Sequence, residues 1–440
     1  MQNGSDNSSR FGARLVSVLM GLALLVGLAL AAWISFDAIP DSAWQTARQP
    51  AIDDVASPLT RELDDFYQIV FYMAVAVFVL VEGLILYAAF RFRRKPGDPM
   101  PKQVHGDNRA EIAWTLAPTL IVLLLAYMGY GVMQQRFVTE YDQDPLVVNA
   151  TGFQWWWEFD YPEAGFATST EMVVPVNRPV RVMLESHDVL HSFWVPELAG
   201  KYDAVPGARD GGAGQNSISF VAERTGRFEG QCAELCGTQH AGMRFTVIVV
   251  EEEEYQAWAD AHAEMVSLPE LPEDDPETTP NESYGVLDSD SAEVRGYKYF
   301  MARCITCHLV DGVNTRVAEG EEIAPERSAD TPGPNVTRMA ARTFLAGGVV
   351  AHTGVGAQTW VREPGTLKIG SNMAAMGYTD AEIDDILTWL YSFKIDDDVM
   401  RPVYAAEPRP DHLPPAYEEL AAELLADDSV AEADAHGEGE

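Results

Sequence analysis

The stretch Cys232-Ala-Glu-Leu-Cys236-Gly-Thr-Gln-His240-Ala-Gly-Met243 places two thiols, an imidazole and a thioether within one short loop. These soft and borderline donors suit copper, including a copper centre that changes oxidation state. A structural zinc site, or a disulfide between the two cysteines, is the alternative. Zinc sites seldom use methionine, and a three-residue gap is poor for a strain-free disulfide if the loop is helical. The stretch therefore predicts a redox copper site.

A β-sandwich is predicted around this loop. From about Leu146 to Val250, short alternating apolar runs are separated by glycine, proline and asparagine, as in a sandwich of short strands. A second histidine, His191, lies upstream in the segment Asp188-Val-Leu-His-Ser. A sandwich that carries a copper loop of this kind is a cupredoxin.

The second chemical motif is Cys304-Ile-Thr-Cys307-His308, the C-x-x-C-H pattern of covalent haem attachment. Its two sulfurs would form thioethers to the porphyrin, and His308 would ligate iron. Such a short motif can also bind zinc or arise by chance. About 65 residues further on, Lys368-Ile-Gly-Ser-Asn-Met373 precedes a helical pattern.

This second region resembles the small class I cytochromes c, which are all-α domains. The resemblance makes Met373 the second axial ligand, with Met376 as its rival, and a methionine–histidine pair raises the haem potential. Gly333-Pro334-Asn335 resembles the family segment whose carbonyl orients the proximal histidine.

The copper loop, with the D-V-x-H-S segment upstream, resembles subunit II of cytochrome c oxidase, in which the motif C-x-E-x-C-x-x-x-H-x-x-M holds the binuclear CuA centre. The resemblance implies that Cys232 and Cys236 bridge two coppers and that His191 and His240 each cap one. It makes Met243 a weak ligand and assigns Glu234 a ligating backbone carbonyl.

Three further roles follow only from this resemblance. Trp155, in Gly152-Phe-Gln-Trp-Trp-Trp, matches the tryptophan through which electrons enter; core packing is the alternative. The Glu234 carboxylate matches a position that helps to bind magnesium at the subunit I interface. Glu111, in Glu-Ile-Ala-Trp-Thr-Leu-Ala-Pro, matches the entrance of a proton path; an interfacial glutamate at a helix start is the alternative.

Three apolar runs lie near the amino terminus. Leu15–Ile34, Ile69–Phe90 and Ile112–Met133 are each long enough to cross a membrane. The loop between the second and third runs is cytoplasmic by the positive-inside rule, so the copper and haem regions are predicted on the outer face of the cell membrane. The basic residues of this cytoplasmic loop are Arg91, Arg93, Arg94, Lys95, Lys102 and Arg109. The first run is either a cleaved signal peptide or a third membrane helix.

The predicted architecture is a transmembrane α-helical hairpin, a cupredoxin β-sandwich and an all-α cytochrome c domain. The predicted boundaries are a signal peptide or first membrane helix at 1–35, the hairpin at 60–137, the cupredoxin CuA domain at 145–267, an acidic linker at 268–290, the cytochrome c domain at 291–396 and an acidic disordered tail at 397–440. The linker is rich in proline and acidic residues, a composition typical of a flexible chain.

The net charge of −37 excludes a nucleic-acid partner by repulsion. The expected assembly is a terminal haem–copper oxygen reductase in the lipid membrane, in which this chain contacts subunit I and also subunit III. Electrons would pass from an external donor through haem c and CuA to the haems of subunit I, where oxygen is reduced with proton pumping. No catalytic acid, base or nucleophile is expected in this chain. The expected cofactors are CuA, haem c and a magnesium ion shared with subunit I.

Three other functions compete with this one. A nitrous oxide reductase carries a similar copper loop, but it needs a histidine-rich domain that this sequence lacks. A nitric oxide reductase with a copper-bearing small subunit is closer, although the context of Glu111 favours the oxygen enzyme. The third is a stand-alone electron carrier or copper-delivery protein.

Overall fold

The computed structural model describes residues 55–137, 144–207, 215–264, 291–311, 333–407 and 414–426. The predicted first apolar run, the acidic linker and the end of the tail lie outside these residues.

Two long apolar helices, α1 (Pro58–Arg91) and α2 (Asn108–Phe137), precede the sandwich. Both are long and apolar enough to cross a membrane, as predicted for the second and third runs. The hydroxyl of Ser57 caps α1 by accepting the N–H of Thr60 at 3.2 Å. The same hydroxyl donates to the carbonyl of Leu198 at 2.6 Å, so the first turn of α1 is fastened to the sandwich.

The described part of the sandwich has two five-stranded sheets, with strand orders β3-β2-β1-β5-β8 and β4-β10-β9-β6-β7. Burial alternates along β1 and β5, because one face of each strand points into the core. The strands are β1 Leu146–Phe153, β2 Trp156–Tyr161, β3 Phe166–Ser169, β4 Glu171–Pro175, β5 Pro179–Ser186, β6 His191–Val195, β7 Ala199–Ala204, β8 Asn216–Val221, β9 Gly226–Cys232 and β10 Arg244–Val250.

Aromatic side chains fill the space between the sheets. Trp157, Phe193 and Phe245 are buried, and the rings of Phe193 and Phe245 stack with centroids 4.8 Å apart. The Trp157 ring also lies 6.0 Å from the ring of His191. The predicted ligand His191 is therefore supported by a rigid part of the core.

Helix α3 (Glu252–Ala263) follows β10 directly and begins with a capping box formed by Glu251 and Glu254. Its Trp258 packs edge-on against Tyr161, with centroids 5.4 Å apart. This contact closes one end of the sandwich.

The carboxy-terminal region is helical, as predicted. Its main contact is between α4 and α7, where Gly296 lets the backbones approach: a Cβ at this position would lie 1.9 Å from the carbonyl oxygen of Asp385. Arg295 makes two bonds to the Asp385 carboxylate, at 2.6 and 2.7 Å. The elements are α4 Ala292–Arg303, β11 Phe344–Leu345, β12 Val350–Ala351, α5 Gly354–Arg362, α6 Pro364–Leu367 and α7 Asp380–Tyr391.

The described parts of the tail that was predicted to be disordered, residues 397–407 and 414–426, contain ordered helices. Helices α8 (Asp397–Ala405) and α9 (Glu418–Ala426) pack on the sandwich core. Tyr404 is buried and donates to the carbonyl of Ala341 at 2.8 Å, and the Tyr417 hydroxyl accepts the N–H of Ile395 at 2.9 Å. The acidic composition suggested disorder, but each helix has an apolar face that the sandwich covers.

The helical region is docked on the sandwich through buried arginines. Arg227 of β9 pairs with Glu171 at 3.1 Å, and it donates to the hydroxyl of Thr343 at 2.9 Å and to the carbonyl of Val403 at 3.2 Å. The guanidinium of Arg338 donates to the carbonyls of Ala261 and Glu264 in and after α3. These bonds fix the helical region on the sandwich without using any of the candidate metal or haem ligands.

Candidate copper and haem sites

The five side chains of the predicted copper site converge in and beside the loop that follows β9. Cys232 ends β9, and the loop that follows brings the Cys236 sulfur to 3.8 Å from the Cys232 sulfur. The Nδ1 atoms of the two histidines each face one sulfur: His191 lies 3.8 Å from Cys232, and His240 lies 3.7 Å from Cys236. The donor atoms of His191, Cys232 and Cys236 all lie within 4.8 Å of one another, as a shared metal centre requires.

Sheet pairing explains how His191 reaches the loop. Strands β6 and β9 are neighbours, with Phe193 opposite Cys232. This pairing brings His191 next to Cys232, although the two residues are 41 positions apart in sequence. The Met243 sulfur lies 3.8 Å from the Cys236 sulfur, and the carbonyl oxygen of Glu234 lies 3.2 Å from the Cys232 sulfur. The Glu234 carboxylate itself is exposed. Two thiols, two imidazoles, a thioether and a carbonyl at these positions fit a copper centre.

Asp188 orients His191. Its carboxylate lies 2.7 Å from Nε2, which leaves Nδ1 facing the sulfur. The other contacts of Asp188 are the backbone N–H groups of Gln154 at 2.7 Å and Val189 at 2.6 Å. A carboxylate behind a metal-binding histidine fixes the tautomer and the ring orientation.

The two thiols are electrostatically coupled. The hydrogen bond between them lowers the pKa of Cys232, against the opposing effect of burial, and raises the pKa of Cys236. Of the two thiols, Cys232 therefore loses its proton more readily.

The predicted haem-attachment residues lie at the end of α4. Cys304 begins a 3-10 turn that runs to Thr306, and Cys307 follows it. Burial raises the pKa of the Cys304 thiol to about 11. The Nδ1 atom of His308 lies 3.0 Å from the carbonyl oxygen of Pro334, as the family segment implies. Gly333 is required there, because a Cβ would lie 2.8 Å from the His308 ring.

An apolar pocket opens beside these residues. Met373 and Met376 both line it, so the geometry brings together both candidates for the second axial position. Their neighbours on the wall are apolar, including Val336, Leu345 and Leu390. An apolar cradle next to two cysteines and a held histidine fits a covalently bound haem.

The sandwich supplies part of this pocket, which the sequence did not predict. Gln154, Trp155 and Trp156 line it, together with the buried Lys368 from the helical region. The Trp155 indole N–H donates to the Cys236 carbonyl at 3.1 Å, so one residue contacts both the copper loop and the haem pocket. No motif links these segments, because their contact depends on how the two regions dock.

Glu111 lies apart from these two sites. It occupies the first turn of α2, where its exposed side chain faces the helix N-terminus. Asp107 precedes it and accepts the N–H groups of Arg109 at 2.9 Å and Ala110 at 3.2 Å.

Family models match three consecutive parts of the chain. They are described as "Cytochrome C oxidase subunit II, transmembrane domain" at residues 43–132, "Cytochrome C oxidase subunit II, periplasmic domain" at 165–252 and "Cytochrome c" at 293–394. The cytochrome c oxidase subunit 2 of Alkalihalophilus pseudofirmus is 33% identical over 336 residues, which cover 73% of this chain and 86% of the relative.

Two further similarities concern parts of the chain. The cytochrome c oxidase subunit 2 of Cereibacter sphaeroides is 36% identical over 254 residues, covering 49% of this chain and 79% of the relative. The crystal structure of the periplasmic domain of the corresponding subunit (CoxB) of Bradyrhizobium japonicum is 37% identical, with a TM-score of 0.26; it covers 28% of this chain and 96% of that one.

Fold, sites and matches together define a class of protein: a cupredoxin with two membrane-type helices, joined to a class I cytochrome c domain. Within that class, the chain belongs to the cytochrome c oxidase subunit II family. It is a subunit of a haem–copper oxidase, and the family implies CuA in the sandwich and haem c in the helical region.

Proposed function

We propose that this subunit delivers electrons to subunit I of an oxygen-reducing oxidase, with haem c as the acceptor for an external donor and CuA as the next carrier. The observation that carries the proposal is the position of Trp155, which lines the haem pocket and donates to the carbonyl of Cys236. The Trp155 side chain thus touches both the haem pocket and the backbone of a candidate copper ligand. Electrons that pass from haem c to copper would cross this contact, whereas electrons from a donor that reduces copper directly would not.

The copper centre would be held by the side chains of His191, Cys232, Cys236, His240 and Met243 and by the carbonyl of Glu234. Such a centre would supply a delocalised one-electron carrier, and the thiolates of Cys232 and Cys236 would hold it. The chain keeps this geometry nearly constant, because the donors stand on a closed sandwich and Asp188 holds His191. A site that moves little between oxidation states accepts and releases electrons with little rearrangement.

Haem c would be attached at Cys304 and Cys307, with His308 and Met373 as axial ligands. The Pro334 carbonyl holds the imidazole on one face. The mostly apolar wall of the pocket would exclude water, and a methionine ligand would give the haem the high potential that an oxidising carrier needs.

The remaining roles concern the assembled complex. We propose that the exposed Glu234 carboxylate contributes to a magnesium site at the subunit I interface and that Glu111 stands at the entrance of a proton path. The hairpin α1–α2 would cross the cell membrane with its basic loop inside, leaving both metal sites outside. Subunit III and proton pumping belong to the same proposal.

The order of carriers can be tested by rapid mixing of the purified complex with a reduced donor. We expect the visible band of haem c to change first and the near-infrared copper band to bleach afterwards. The control is the double variant Cys304→Ser/Cys307→Ser, which removes covalent attachment and leaves the copper ligands in place. If copper in this variant is reduced by the same donor as fast as in the wild type, haem c is not the input site.

A further inference from the structure

Lys368 occupies an unusual position between the two sites. It follows helix α6, and only 4% of its surface is exposed. Its ammonium donates to three carbonyls: Trp155 at 2.6 Å, Ala346 at 2.7 Å and Gly242 at 2.8 Å. A lysine has three N–H donors, so every one of them is used. Two of the acceptors belong to the sandwich, and Gly242 directly precedes the copper candidate Met243.

The environment of Lys368 is costly for a charge. Burial lowers the pKa of Lys368 to about 7. The ammonium of Lys368 nevertheless stabilises the contact between the two regions. Without it, the three carbonyls would lack a donor in an apolar setting, which costs free energy.

The chain that follows Lys368 is also fastened to the sandwich. The Gln239 amide of the copper loop donates to the carbonyl of Ile369 at 2.7 Å. The Asn372 amide, next to the axial candidate Met373, donates to the carbonyl of Gln154 at 3.1 Å. The methionine loop, residues 368–373, therefore lies directly on the copper loop.

Gln154 continues this contact into the copper site. Its side-chain amide donates to the carbonyl of Cys236 at 2.6 Å. A chain of hydrogen bonds thus runs from Asn372 through Gln154 to Cys236, and so joins the residue beside a haem-ligand candidate to a residue that carries a copper thiolate. This chain exists only while the methionine loop stays in register with the sandwich.

We propose that Lys368 is a positioning residue for electron transfer between the two sites: it locks the methionine loop onto the copper loop and keeps the Asn372–Gln154–Cys236 bridge closed. The inference rests on the proposed order of carriers. The contacts of Arg227 and Arg338 do not involve Lys368 and hold the helical region in place, so loss of Lys368 loosens this junction without releasing the region.

The test uses the purified complex and the variant Lys368→Met, which keeps the length of the side chain and removes its donors. An electron is injected into haem c with a ruthenium photoreductant, and the reduction of CuA is followed in the near infrared. We expect the rate to fall at least about tenfold, which corresponds to about 1.4 kcal/mol. Lys394→Met, at a half-exposed lysine whose partner is Asp397, should leave the rate unchanged.

A second measurement reports on position rather than on turnover. In the oxidised complex, ferric haem c shortens the electron-spin relaxation of CuA according to their separation. We expect Lys368→Met to weaken this effect while the visible spectrum of haem c and the copper content stay normal. An unchanged rate and unchanged relaxation in a spectrally normal variant would overturn the role of Lys368.

A second variant tests the same contact in case Lys368→Met does not fold. Gly347 has φ +66°, and a Cβ there would lie 2.4 Å from the carbonyl oxygen of Trp155. Gly347→Ala keeps Lys368 but pushes the two surfaces apart, so it should slow the same transfer and weaken the same relaxation. If it leaves both unchanged, the register of this junction does not control transfer.

Failure of the proposed order of carriers would look different. In that case the wild type itself would show no copper reduction after haem c is photoreduced. The relaxation of CuA would still distinguish Lys368→Met from the wild type, because it depends on the docking of the loop and not on the direction of electron flow.

Discussion

The copper site and the haem site of this chain are built in different ways. The copper donors come from one loop and one neighbouring strand of a closed sandwich, and they already lie 3.7–3.8 Å apart as neighbouring pairs. The haem pocket is composite. Its attachment side lies between Cys304 and Pro334, its opposite side is the loop 368–376, and part of its wall belongs to the sandwich.

This difference decides how much a sequence motif can reveal about each site. The copper loop contains all the predicted ligands except His191, which the pairing of β6 with β9 brings to it. Its motif therefore reveals most of the site. A composite pocket depends on long-range docking, so its motif names the attachment residues but leaves two methionines for one position. Variants at the two sites should therefore behave differently.

The largest effect is expected at the copper thiolates. Cys232→Ser should abolish the near-infrared mixed-valence band, because a bridging sulfur is lost, while the haem c spectrum stays unchanged. Glu234→Gln is the matched control, since its exposed side chain faces away and only its carbonyl lies near Cys232. A band that persists in Cys232→Ser with two coppers per chain would refute the bridging role.

The next effect separates the two methionines of the haem pocket. Met373→Leu should remove the weak sulfur-to-iron charge-transfer band and lower the haem potential by an appreciable part of the roughly 0.8 V range that axial ligands span. Met376→Leu should do neither. Absorption spectra and a redox titration of both variants check this, and the opposite pattern would make Met376 the ligand.

Much of the architecture could be read from the sequence, because apolar length, strand alternation and the two cysteine motifs are local signals. The helical hairpin, the sandwich and the cytochrome c domain are confirmed. The tail was not predicted, because Met400, Val403 and Tyr404 are stabilised by a distant surface rather than by their acidic neighbours. Lys368 was missed for the same reason: its three acceptors come from segments up to 213 positions away. The ligand roles themselves remain predictions.

A smaller effect should reveal how far the copper site is preorganised. Asp188→Asn removes the charge behind His191 and should weaken copper binding by about 10- to 100-fold, the usual effect of losing an outer partner of a metal ligand. Copper content after exposure to a graded series of chelator concentrations measures this. Glu163→Gln, at an exposed turn, is the control. Equal copper retention in Asp188→Asn and the wild type would mean that the sandwich alone orients the histidine.

The smallest effect concerns the contact between the two regions and is read from pH. Burial lowers the pKa of His262 to about 3, and Arg338 and Arg342 of the helical region lower it further, against the hydrogen bond to the Trp258 carbonyl. Between pH 6.5 and 3 the unfolded chain therefore binds a proton that the folded chain does not. Stability should fall in that interval by about 1.4 kcal/mol per pH unit as the pH decreases.

His262→Gln has no such proton to gain, so its behaviour isolates this contribution. The difference in unfolding free energy between the wild type and His262→Gln should shrink by about 2 kcal/mol between pH 7 and pH 5, measured by chemical unfolding of the solubilised chain. His105→Gln, at an exposed position, should show no such change. If the difference is constant with pH, His262 takes up its proton over the same pH range in the folded and the unfolded chain, and burial does not lower its pKa.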